Sequence, residues 1–83
     1  MMTELWDPAV EIAIDNGDHF KSITNTRDAL AWLMTSWPKQ GGKTFAAARR
    51  ACIEAIEGRV DASAAAEAFK EAAAEVGILR QWR

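Results

Sequence analysis

Eighty-three residues make one domain, and folding at this size buries only about 60 to 65% of the surface the unfolded chain exposes, so a thin core and association between chains are expected. The formal net charge of −2, from 10 basic and 12 acidic residues, excludes a field strong enough to draw nucleic acid or an anionic membrane by itself. One cysteine excludes an internal disulfide, and no apolar run approaches the roughly 20 residues needed to cross a bilayer.

The chain opens Met1-Met2-Thr3-Glu4 without a basic region ahead of an apolar run. No secretory signal is read there, and a cytoplasmic location is expected. From Trp6 the even positions read Trp6, Pro8, Val10, Ile12 and Ile14, against Asp7, Ala9, Glu11, Ala13 and Asp15 at the odd ones. That is the two-residue period of a half-buried strand. Asp15-Asn16-Gly17-Asp18 follows. Asn-Gly tolerates the positive φ of a tight turn, so residues 19–23 are predicted to return antiparallel. A two-residue loop sets Ile23 opposite Val10 and sends Phe20 to the other face; a three-residue loop does the reverse, and a bulge would reconcile them.

Asn25 or Thr26 caps the first helix, with Asp28 in its first turn, where a carboxylate complements the helix dipole. This helix is predicted to run to about residue 36. Ala29, Leu30, Leu33, Met34 and Trp37 share one side, Arg27, Asp28 and Thr35 turn away, and Trp32 falls on the flank. Trp37-Pro38 stops the helix and Gly41-Gly42 turns the chain. Residues 44–57 form the second helix, with Phe45, Ala48, Cys52, Ala55 and Ile56 inward, and Gly58 ends it. A third helix opens at Asp61 or Ser63, lines up Ala62, Ala65, Phe69, Ala72, Ala73 and Val76, and ends at Gly77. So many alanines allow the second and third helices to approach closely as an antiparallel pair. Residues 78–83 are a short strand or a tail.

Gly41-Gly42-Lys43-Thr44 ahead of a helix is reminiscent of a phosphate-binding loop, but the leading glycine would have to stand where Trp37 is, and the loop leaves a helix rather than a strand. What survives is a weak anion contact at Gly42, Lys43 and Thr44, at a helix start. Cys52 reads as a small buried hydrophobe. A thiol nucleophile would need His19, the single histidine, within hydrogen-bond reach, and one cysteine with one histidine cannot assemble an ordinary zinc site within one chain. Glu67, Glu71 and Glu75 recur every four residues, a row more often solvated than functional. Arg49 is read at the margin of the buried side near Phe45 and Ile53, where a guanidinium needs a carboxylate or a partner surface. Trp32 and Trp82 are the aromatics expected at an exposed interface, while Trp6 and Trp37 are assigned to the core.

Ala29 to Leu33, Trp37-Pro38, Gly42, Ala48, Cys52, Ala55-Ile56, Gly58, Ala65, Phe69, Ala72-Ala73 and Gly77-Ile78, with Pro8-Ala9-Val10 at the start, form a pattern spanning nearly the whole chain. In it the sequence resembles the domain-of-unknown-function family 982, small proteins of soil and plant-associated bacteria. The Trp-Pro pair followed by the cysteine and the glycine is the most specific part. The resemblance implies a fold and no particular activity, and it carries no catalytic residue over to this chain.

These readings predict an α+β domain in which a two-stranded antiparallel hairpin packs on three helices, with a short C-terminal strand as an option. A lone hairpin is marginal in water, so the helices or the hairpin of a second subunit must cover its apolar face, and a homodimer is expected. The expected function is a non-enzymatic interaction or regulatory module presenting Trp32, Arg49, Arg50 and Trp82 to a protein partner, without cofactor, metal or catalytic residue. Nucleic-acid binding through Lys39, Lys43, Arg49 and Arg50, and binding of a small metabolite, are the alternatives. A missing acid, base and nucleophile constellation argues against an enzyme.

Overall fold

The computed structural model describes residues 5–14 and 17–80, the side chains of residues 7 and 8 excepted. Its architecture is α+β: strand β1 (Leu5–Ile14), strand β2 (His19–Asn25), and helices α1 (Thr26–Thr35), α2 (Lys43–Ile56) and α3 (Ala62–Glu75). The hairpin sets Val10 opposite Ile23, Ile12 opposite Lys21 and Ile14 opposite His19. This is the register of a two-residue loop, and it sends Phe20, opposite Ala13, to the outer face, where it is 49% exposed. Asp15 and Asn16 of the expected turn lie outside the described residues; Gly17 takes the positive φ, 91°, that the turn requires. The irregularity sits elsewhere. Leu5 pairs with Asn25, so the register shifts between Leu5 and Val10, across Pro8, which has no N–H to give a ladder.

The sheet has one member more than the predicted hairpin. Ala13 N–H donates to the Ile78 carbonyl at 2.8 Å, Arg80 N–H donates to the Glu11 carbonyl at 2.9 Å, and Ile12 bridges Leu79 antiparallel. Residues 78–80 thus line the other edge of β1. The tail becomes a strand because Gly77, at φ 78°, reverses the chain after α3, while Ile78 N–H bonds the Ala73 carbonyl and closes the helix.

Helix boundaries follow their chemistry. Asn25 caps α1, its Oδ1 accepting from Asp28 N–H at 2.7 Å. Beyond the helix, Gln40 folds back and its Nε2 donates to the Leu33 and Met34 carbonyls at 3.1 and 3.3 Å, satisfying groups that a helix end leaves open. Helix α2 closes with Gly58 at positive φ and Arg59 N–H on the Glu54 carbonyl at 2.8 Å.

Phe69 of α3 is fully buried between two indoles, Trp6 from β1 at 5.4 Å and Trp37 at 5.1 Å between ring centroids. Around this trio lie Val10, Ile12, Ile23, Leu33, Cys52 and the alanines of α2 and α3. Met34 departs from the predicted inner row and is 49% exposed. The buried arc of α1 is narrow, centred on Thr26, Ala29 and Leu33, and Met34 stands about 100° past Leu33. No helix among the described residues is long and apolar enough to cross a membrane.

Candidate functional site

The outer face of α2 is built by a helical stripe. Lys43, Ala46, Ala47, Arg50, Ile53, Glu54 and Glu57 recur at three- and four-residue steps, so they share one side. Joined by Arg49 and Arg59, they line an open cavity of about 620 Å³. The methyl groups of Ala46 and Ala47 make its floor low, and the long side chains rise around it. Four of the lining residues are basic and two acidic. The acidic ones are engaged: Glu54 meets Arg50 at 3.5 Å and Glu57 meets Arg59 at 3.5 Å. Lys43 and Arg49 have no ion pair among the described residues. Both are exposed, which corrects the sequence placement of Arg49 at the margin of the core. Its Cα lies between the inward Ala48 and the outward Arg50, and it lines the same cavity as Ile53, of which Phe45 is no part.

A second, narrower cavity of about 250 Å³ lies where the α1–α2 connection meets the end of α3, lined by Trp37, Pro38, Lys39, Gly41, Gly42, Thr44, Phe45, Glu75 and Val76. It contains two of the three residues assigned to an anion contact. The third, Lys43, lines the cavity on the outer face. Glu75 supplies a carboxylate here, accepting a hydrogen bond from the Thr44 hydroxyl. A negative charge of the protein's own therefore stands beside the first turn of α2 and lessens the pull of that helix end on an external anion. Trp37 Nε1 is buried with no hydrogen-bond partner among the described residues.

The other sequence candidates separate. Trp32, expected at an exposed interface, is half-buried and packs against the core. It stands one residue before Leu33 on the flank opposite Met34, and an indole is long enough to reach inward from there. Trp82 lies outside the described residues. Of the acidic row, Glu67 pairs with Lys70 at 3.5 Å and Glu75 with Thr44, leaving Glu71 exposed. Cys52 is buried on the inward side of α2, and burial pushes its thiol from 9.0 up to about 12, while His19 is exposed at the start of β2. Among the described residues no three His, Cys, Asp or Glu side chains gather closely enough to hold a metal. Sequence reading found the cations of α2 but not their setting. The signal was the pair Ala46-Ala47 with Ile53 on the same side as Lys43 and Arg50, an apolar floor beneath a basic rim.

Residues 8–80 match the family model described as "Protein of unknown function (DUF982)". The chain belongs to that family. The match runs from the Pro8 irregularity of β1 through the third strand, so it covers the elements described above apart from the first three residues of β1. No curated protein and no solved structure matches the chain.

Proposed function

We propose that this DUF982 protein is a non-enzymatic interaction module that acts as a homodimer and offers the outer face of α2 to an acidic segment of a partner protein in the cytoplasm. One observation carries the reading: Lys43 and Arg49 stand exposed over an alanine floor without a carboxylate partner among the described residues, whereas Arg50 and Arg59 beside them are paired. An ammonium and a guanidinium at the rim of an apolar trough suit an acidic helix, since arginine adds planar hydrogen bonding to charge and its stem packs on apolar surface. The test is fluorescence anisotropy with a labelled glutamate-rich helical peptide. Lys43→Glu and Arg49→Glu together are expected to weaken binding at least about tenfold, and binding to the unmodified protein should fall as salt rises. Equal binding by the variant, or none by the unmodified protein, rejects the reading.

The basic rim also favours a second reading, nucleic-acid binding by phosphate contacts from Lys43, Arg49, Arg50 and Arg59. An oligonucleotide mobility shift that weakens steeply with salt would move the assignment there.

A further inference from the structure

The two edges of the sheet are treated differently. One edge of β1 is closed by residues 78–80, through Ala13 N–H and the Glu11 carbonyl. Backbone groups along a strand alternate between its two sides, so Val10, Ile12 and Ile14 turn toward β2, where they meet Ile23, Lys21 and His19. It follows that the N–H and C=O groups of Phe20, Ser22 and Thr24 point away from the hairpin, and no backbone hydrogen bond from another element reaches them among the described residues. All three residues are exposed.

Exposed edges are ordinarily blunted by proline, a bulge or free lysines. Here the proline and the register shift are in β1, away from this edge. The one lysine of β2, Lys21, is drawn 3.9 Å from the Asp28 carboxylate of α1. The edge is left ready to pair.

We infer that the β2 edge is the homodimer interface, two copies joining antiparallel about a two-fold axis at Ser22. This rests on the homodimer reading above and specifies its geometry. Only registers that match outward-pointing residues satisfy both edges, and those that engage at least two of the three centre on Lys21, Ser22 or Ile23. A Lys21 centre places two ammonium groups opposite each other, a destabilising pair. An Ile23 centre matches Phe20 with Thr26, which has already entered α1. The Ser22 centre sets Ser22 against Ser22 of the partner subunit and Phe20 against Thr24 of the partner subunit, using all three outward residues and facing no like charges. The half-exposed Phe20 ring gains a neighbour, an aromatic beside a β-branched residue. A two-fold perpendicular to the sheet also keeps both inner faces on one side. Helix α1 packs beneath β2 and α3 beneath β1, so the two α1 helices become the neighbours across the junction and enlarge the contact beyond the strand edges.

Light scattering over a dilution series, with circular dichroism to verify folding, tests this. The unmodified chain is expected to weigh twice its 9.1 kDa. Ser22→Pro removes the central edge N–H without touching the hairpin ladder, and Ser22→Lys adds a charge at the axis; each should weaken dimerisation at least about tenfold. Under oxidation by copper–phenanthroline, Ser22→Cys should give a covalent dimer in high yield, while the buried Cys52 stays out of the reaction. A single-chain mass for the unmodified protein at every concentration overturns both the dimer and its geometry. A dimer that persists in folded Ser22→Lys, with no crosslink in Ser22→Cys, overturns the edge alone and leaves the homodimer reading standing.

Discussion

The two core indoles are chemically unequal, although both pack on Phe69. Trp6 Nε1 donates to the buried Thr26 hydroxyl at 3.0 Å, whereas Trp37 Nε1 finds no acceptor among the described residues. Replacing either by phenylalanine removes similar volume, but Trp6→Phe also deletes a buried hydrogen bond, and Trp37→Phe deletes only an unpaired donor. Trp6→Phe should therefore cost about 1–2 kcal/mol more than Trp37→Phe in urea titrations. Equal losses would show that the Trp6–Thr26 bond contributes nothing. Cys52 supplies a second contrast. With its thiol pushed up to about 12, the native protein should resist alkylation that the unfolded chain undergoes readily. Above the unfolded value near 9.0 the unfolded thiol releases its proton while the folded one retains it, so the unfolded state binds fewer protons. Stability must then fall with rising pH, by up to about 1.4 kcal/mol per pH unit, and the thiol's contribution is complete only below that value. Thermal melts near about pH 8 and about pH 10 should separate the native chain from Cys52→Ala, which lacks this loss.

At the level of elements, the joint between α1 and α2 depends on backbone conformation as well as on the contacts of Trp37 and Gln40. Gly42 caps α2 at φ 92° and ψ 168° with no side-chain hydrogen bond, a region that residues with a Cβ scarcely enter. A methyl there would meet nothing within 4 Å. Gly42→Ala is thus expected to cost about 1–3 kcal/mol through torsional strain alone, read as a lower urea midpoint with an unchanged m-value. This joint was legible from composition, because Trp37-Pro38 and Gly41-Gly42 can neither continue a helix nor fail to turn. The inward rows of α2 and α3 were legible for a similar reason, since Ala48, Cys52, Ala65, Phe69 and Ala72 repeat at helical steps. Met34 and Trp32 were not, because periodicity gives a side and not the width of the buried arc, which is set by what packs against it. The trough on α2 was half legible: the charges show in the sequence, but whether Glu54 and Glu57 engage Arg50 and Arg59 is decided by side-chain reach.

For the whole molecule, the contact that the sequence left open between strand and tail, residues 78–80 on β1, is also the one that closes the fold. It returns the end of the chain to its first strand, and Arg80 then spans the outer face, meeting Glu11 at 3.5 Å and lying 4.1 Å above the centre of the Phe20 ring. A chain ending at Gly77 would lose two ladder hydrogen bonds at about 1 kcal/mol each. It would also lose the partial burial of Ile78 and Leu79, worth about 1 kcal/mol apiece. Exposed Arg80 adds little by comparison. The expected loss, about 2–4 kcal/mol, is a large share of the roughly 4–12 kcal/mol that a domain of this size possesses. Truncation should therefore lower the urea midpoint at least as far as Gly42→Ala does. It should also open the second edge of β1 to strangers, so that the shortened chain aggregates where the native one remains discrete. If the truncated protein unfolds at the native midpoint and keeps its native mass by light scattering, the third strand rests on the sheet without holding it.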